Sequence, residues 1–148
     1  MAEQAEKTRL EVASSPHLRD EDNIERIMYS VLLALLPAIA ASIYFFGLDA
    51  VRVYLLSAAA AEASELACLW ARGKPLERAT DGSALVTGLL LAMIIPASVP
   101  WFCPVVGSAF AICIAKHTFG GLGCNIWNPA LSARIFLQFA WPLSLKKS

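Results

Sequence analysis

Two carboxylates, Glu62 and Glu65, stand three positions apart in "SAAAAEASELACLW". On a helix that spacing puts both on one face. A carboxylate in an otherwise apolar helix is costly unless it is paired, hydrated or on an ion pathway. Two readings follow: an inward-facing cation path, or a position near the helix end, solvated or paired with Arg72. The neighbouring alanines suit close helix packing in either case. A second stretch with chemistry in it is "FGGLGCNIWNPALSARIF", residues 119–136. Gly120, Gly121 and Gly123 let backbone approach a ligand, and Asn128 can cap a helix that Pro129 opens. Free N–H groups and the positive end of that helix suit an anionic group such as phosphate. The stretch is not GxGxxG and no strand precedes it, which excludes a Rossmann site. With no ligand, it is a tight re-entrant turn. "DGSALVTG" repeats the logic around Thr87 and Gly88, with Asp81 or Ser83 as a cap. Thr87 can equally hydrogen-bond back along its own helix.

The elements that must position these residues are apolar. The chain of 148 residues is 57% hydrophobic and 16% charged, with a mean hydropathy of +0.58. Soluble domains carry about 25% charge, so this composition is that of a membrane protein in contact with lipid. All 12 acidic residues lie at or before Asp81, and beyond it only Lys116, Arg134, Lys146 and Lys147 are charged. Those four are too scattered for a nucleic-acid surface. Cys68, Cys103, Cys113 and Cys124 contain no CxxC pair, so zinc and redox spacings are absent and small buried side chains are expected. His17, alone in "SSPHL", is weak as a ligand.

Residues 1–26 are too polar and acidic for a signal peptide and read as a cytoplasmic arm. Residues 27–47 are uncharged and long enough to span a bilayer, with Pro37 expected to kink them. "LDAVR" reads as a short connection to a second apolar run, Val51 to Trp70, with Tyr44 and Trp70 suited to interfaces. Residues 83–96 are too short for an ordinary span. Trp101 to Ala115 is a moderate one ending at Lys116, and Pro129 to Ala140 is short again. The expected fold is an all-α polytopic membrane protein of about five helical segments, two of them short or broken. Residues 27–148 form its transmembrane domain. Broken segments at membrane depth must be buried in protein or line a cavity, so they point at a site.

Taken in order, "SSPHLR", "LLPAIAASIYFFG", "DGSALVTGLLLAMIIP", "FAICIAK" and "FGGLGCNIWNPALSARIF" resemble the D subunit of the Rnf electron-transport complex. The related B subunit of the sodium-pumping NADH:quinone reductase shares the resemblance, which runs from about Ser14 to Trp141. It implies one half of an inverted-repeat, transporter-like subunit of the bacterial inner membrane. It also implies a flavin relay between ferredoxin-side and NAD-side carriers, coupled to Na⁺ or H⁺ movement with the other membrane and peripheral subunits. FMN is the implied cofactor, with Thr87, Gly88, Lys116, Gly120, Gly121, Gly123, Asn125, Asn128 and Arg134 as candidate contacts. Glu62 and Glu65 are candidates for the ion path. The family attaches FMN to a threonine in a Ser-Gly-Ala-Thr motif, which is absent here. The chain therefore reads as the first half of a longer protein or as a product that ends early. The alternative is a channel-like or purely structural membrane subunit, since one "NPA" also occurs in each half of water and glycerol channels.

The arm carries Lys7, Arg9, Arg19 and Arg26, and residues 71–81 carry Arg72, Lys74 and Arg78, whereas the loop between the first two spans has only Arg52. Both basic segments should face the cytoplasm. Single cysteines at Ser14 and Thr80 should resist impermeant maleimide added outside intact cells; strong labelling of either would reverse the topology.

Overall fold

The computed structural model describes residues 21–121 and 125–146. Residues 1–20 of the arm, His17 among them, together with Gly123 and Cys124, lie outside the described residues. The architecture is all-α. Helix α1 runs Glu21–Phe46 and α2 runs Leu48–Ala71. A 3-10 turn at Leu76–Asp81 leads into α3, Ser83–Ile94. Helix α4, Phe102–Phe110, continues as a π-helical segment over Ala111–His117. Helix α5 is Pro129–Ala140, followed by the one-turn α6, Pro142–Lys146.

Two boundaries differ from the sequence expectation. Helix α1 reaches back to Glu21, into the expected arm, and passes through Pro37. The connection to α2 is Gly47 alone, at φ 64°, and "LDAVR" is already helical. One glycine suffices because its positive φ reverses the chain without a Cβ penalty. Arg52 then sits inside α2, and its Nη2 donates to Val99 O at 2.9 Å in the α3–α4 connection.

Both α1 from Glu25 and α2 are long and apolar enough to cross a membrane, at 22 and 24 residues. They are used differently. No side chain described in α1 is buried, and Leu33, Leu36, Tyr44 and Phe45 are open to the surroundings. Helix α2 is the central post, with Val53, Tyr54, Ser57, Ala61, Glu65 and Leu69 buried along its length.

Contacts along α2 define the bundle's directions. From its start to its end, Arg52 meets Val99, Ser57 meets both Gly88 and Ser108, and Glu65 meets Lys116. Helix α3 is therefore antiparallel to α2, and α4 runs parallel to it. Phe136 stacks on Phe110 with ring centroids 4.2 Å apart, and Trp141 meets Phe102 at 5.6 Å. Helix α5 is thus antiparallel to α4, and its start lies toward the end of α2 that carries Glu65.

Small residues set the closeness of the central layers. Ser57 Oγ donates to Gly88 O at 2.8 Å, and its hydroxyl shares a 2.8 Å bond with Ser108. A Cβ on Gly88 would lie 2.8 Å from Ser57 O and 3.2 Å from Ala58 Cα. Such helix contacts rely on small side chains to bring backbones together where water supplies no driving force. Gly107 plays the corresponding part against Leu137 and Leu91.

Gly88→Val should force α2 and α3 apart and lower stability by about 1–3 kcal/mol, the usual cost of overpacking. Thermal unfolding of the detergent-solubilised protein measures it. An unchanged midpoint would mean that the contact yields without cost.

Candidate functional site

Glu65 lies two turns before the end of α2, about 9 Å inward at 1.5 Å per residue. Its Oε2 accepts a hydrogen bond from Lys116 Nζ at 2.8 Å, with the two side chains only 4% and 2% exposed. Lys116 Nζ also donates to Ser83 Oγ at 2.7 Å. Ser83 Oγ in turn donates to Asp81 Oδ1 at 2.6 Å, and the Ser83 backbone N–H donates to the same oxygen at 2.8 Å. A hydrogen-bonded line thus runs from the buried Glu65 carboxylate through ammonium and hydroxyl to the half-buried Asp81. Each buried member has a partner, as a charge in an apolar interior requires.

His117 completes the cluster. Its Nε2 is 3.0 Å from Glu65 Oε2, within ion-pair distance but without hydrogen-bond geometry. Arg72 Nη1 donates to His117 O at 2.9 Å and lies 3.4 Å from Nδ1. A guanidinium only donates, so a hydrogen bond along this contact requires Nδ1 as its acceptor. The sequence suggested Arg72 as a partner for Glu65; in the structure Arg72 holds His117, and Lys116 holds the carboxylate.

The π-helical segment makes this possible. Its wider i→i+5 turn continues past the segment itself, where Gly121 N–H donates to Lys116 O, and the Thr118 hydroxyl caps Cys113 O. Lys116 and His117, adjacent in sequence, both turn toward one carboxylate oxygen. Lys116, the charge that ends the apolar run in the sequence, is thereby buried in the bundle. Single π turns inside α-helices are rare and concentrate at functional sites.

The glycine-rich stretch forms a second feature. Gly120 and Gly121 adopt φ 120° and 103°, peeling the chain away from the π-helical segment. Asn128 Oδ1 accepts from the N–H groups of Ala130 and Leu131 at 2.9 and 3.4 Å, capping α5 with Pro129 in its first turn. An open groove of about 670 Å³ lies against this helix start, lined by Ile126, Trp127, Asn128, Leu131, Ser132 and Ile135. Asn125 Oδ1, nearby in the sequence, is buried with no hydrogen-bond partner among the described residues.

The expected site residues thus separate into distinct neighbourhoods. Glu65 and Lys116 are joined, and Glu62 is half-buried one turn before Glu65. Thr87 Oγ1 donates to Ser83 O at 2.9 Å, and Gly88 faces α2. Asn128 borders the groove, while Arg134 is half-buried further along α5. For a flavin, the groove has the size and the mixed apolar and aromatic lining of small-molecule sites, roughly 300–1,000 Å³. Its described lining holds no cation: Lys116, one candidate for an anionic group, is committed to Glu65, and Arg134, the other, is not among the lining residues. The fit therefore covers the ring system and not the phosphate.

Sequence reasoning missed His117 and the thiol contact of Cys68 with Cys113, whose Sγ atoms are 3.2 Å apart. The adjacent Lys116 and His117 at the end of an apolar run were the available signal for the first. No spacing rule announces the second.

Fold and site together define an all-helical membrane protein with a buried charge cluster at one end of its bundle. The chain belongs to the NQR2, RnfD, RnfE family, whose sequence model matches residues 11–147. Among similar proteins, the D subunit of the ion-translocating oxidoreductase complex of Stutzerimonas stutzeri is 49% identical over 83% of this chain and 35% of its own length. The D subunit of the Na⁺-translocating ferredoxin:NAD⁺ oxidoreductase complex of Acetobacterium woodii is 47% identical over 90% and 42%. Its proton-translocating counterpart from Clostridium ljungdahlii is 43% identical over 98% and 44%. The chain therefore spans less than half the length of these relatives.

Lys116→Met strands a buried carboxylate and should destabilise the protein by about 3–5 kcal/mol, whereas Glu65→Gln with Lys116→Met should cost far less. Paired unfolding curves check this. Equal losses in the single and double variants would mean that the two charges are not coupled.

Proposed function

We propose that this chain is the membrane-embedded part of an electron-transport subunit whose redox reaction drives cation movement across a bacterial cytoplasmic membrane. The observation that carries the reading is the Glu65–Lys116 pair, buried within the bundle and linked through Ser83 to the half-buried Asp81. Membership of a family with ion-translocating oxidoreductase subunits supports it. Intramembrane ionisable groups are expensive and mark ion or proton routes by default. Glu65 would offer the moving cation its carboxylate, with Lys116 holding the charge balance between transfers. Glu62, one turn away, extends the same helix face. The N-terminal arm faces the cytoplasm, and the remaining subunits of the complex dock against the bundle.

Flavin is the cofactor this reading calls for, and bound flavin supplies one-electron transfer between carriers. The residues of this chain suited to its ring are Ile126, Trp127 and Leu131, with Asn128 and Ser132 as polar groups at the groove. These residues orient and shield; the chain's own chemistry is the placement of charge.

The test uses the whole protein in its complex, with Glu65→Gln and Lys116→Met combined so that no buried charge is stranded. Cation-coupled turnover should be lost while flavin content stays at the wild-type level. Full coupling in the doubly neutral variant would reduce the cluster to a structural clasp. A purified wild-type protein with no flavin absorption would favour the channel-like or purely structural alternative.

A further inference from the structure

We propose that Cys68 and Cys113 form a reversible disulfide site, a redox-sensitive clasp between α2 and the π-helical segment. The two thiols lie 45 positions apart in sequence, on different helices, with their Sγ atoms 3.2 Å apart. Cys113 is exposed and Cys68 half-buried, so an attacking thiol and a resolving thiol are both present. A disulfide needs about 2.05 Å between sulfurs, about 1 Å closer than they stand here.

The position gives the site its consequence. Cys68 is three residues after Glu65, and Cys113 is three before Lys116 and four before His117. Along this seam Glu65 holds Lys116, the thiols meet, and Arg72 holds His117. A covalent bond in the middle of the seam ties the segment carrying Lys116 to the helix carrying Glu65. Any cycle in which these groups part would be arrested. This consequence rests on the reading of the Glu65 cluster as the coupling site; the disulfide itself does not.

The chemistry balances with a disulfide as oxidant. The Cys113 thiolate attacks one sulfur of the oxidant, forming a mixed disulfide and expelling one thiol. Cys68 then attacks Cys113 Sγ, forming the protein S–S bond and expelling the second. Two protons and two electrons pass from the cysteines to the oxidant's sulfurs. Reducing compartments keep such pairs as thiols, so the oxidised form would be a transient signal.

Dithiodipyridine applied to the whole protein in native membranes tests the site. After denaturing alkylation, mass spectrometry should find the Cys68 and Cys113 peptides linked, and dithiothreitol should separate them. In Cys68→Ser, Cys113 should stop at the mixed disulfide. An unresolved adduct on Cys113 in the wild type, or two unmodified thiols, overturns the proposal. Cation-coupled turnover should be lost on linkage and return with dithiothreitol, and Cys68→Ser/Cys113→Ser should keep it throughout. Linkage with unchanged turnover overturns the clasp's hold on the cluster and leaves the function of Glu65 standing. Equal loss in the doubly substituted protein puts the oxidant's effect elsewhere and overturns it as well.

Discussion

An ammonium and a carboxylate 2.8 Å apart, both nearly inaccessible, constrain the bundle more than any apolar contact in it. Taken singly, either charge would destabilise the interior by several kcal/mol, and together they tolerate burial only while their geometry holds. Three elements meet that condition: α2 supplies Glu65, the start of α3 supplies Ser83, and the π-helical segment supplies Lys116. Move one of them and a charge loses its partner. The pair thereby sets the register of three segments that the hydrophobic effect alone would leave free to slide.

The rest of the central packing serves that register. Gly88 lets the backbone of α3 approach α2, and the Ser57 hydroxyl bonds both Gly88 O and the Ser108 hydroxyl across the seam. Gly107 lets α4 close against Leu137 of α5. Packing of this kind fixes distances within narrow limits, which a 2.8 Å ion pair requires. Helix α1 stands apart from it. Tyr29 OH donates to Thr80 O, Gly82 lies under Met28 and Leu32, and Ile39 packs against the core, while Leu33, Leu36, Tyr44 and Phe45 are left for lipid or neighbouring protein.

Charge cluster and groove sit toward the same end of the bundle, connected by the glycines that follow the π-helical segment. Gly121 N–H returns to Lys116 O, so the backbone that leaves the ion pair is the backbone that leads toward the groove. This continuity gives the proposed redox and ion-binding functions a short covalent route between them. It also explains why a chain rich in apolar sequence places glycines and asparagines here: one side must release a helix and the other must start one.

Composition and spacing determined the class of protein, because apolar runs of bilayer length and local capping groups act through near neighbours. The all-α fold, the two helices long and apolar enough to cross a membrane, and Asn128 as the cap of α5 were all legible in that way. So was the need of Glu65 for a partner, since its cost in apolar surroundings is a property of the residue itself. The family was readable in the ordered motifs. The identity of Glu65's partner was not. Lys116 lies 51 positions away, and only the antiparallel and parallel turns of α3 and α4 bring it back to α2. The same long-range closure turned Gly88 from a possible ligand contact into a helix contact and brought Cys68 to Cys113 without any CxxC spacing. Local rules describe what each segment becomes; which charges, thiols and glycines meet depends on packing between segments distant in the chain, and tertiary structure alone decides that.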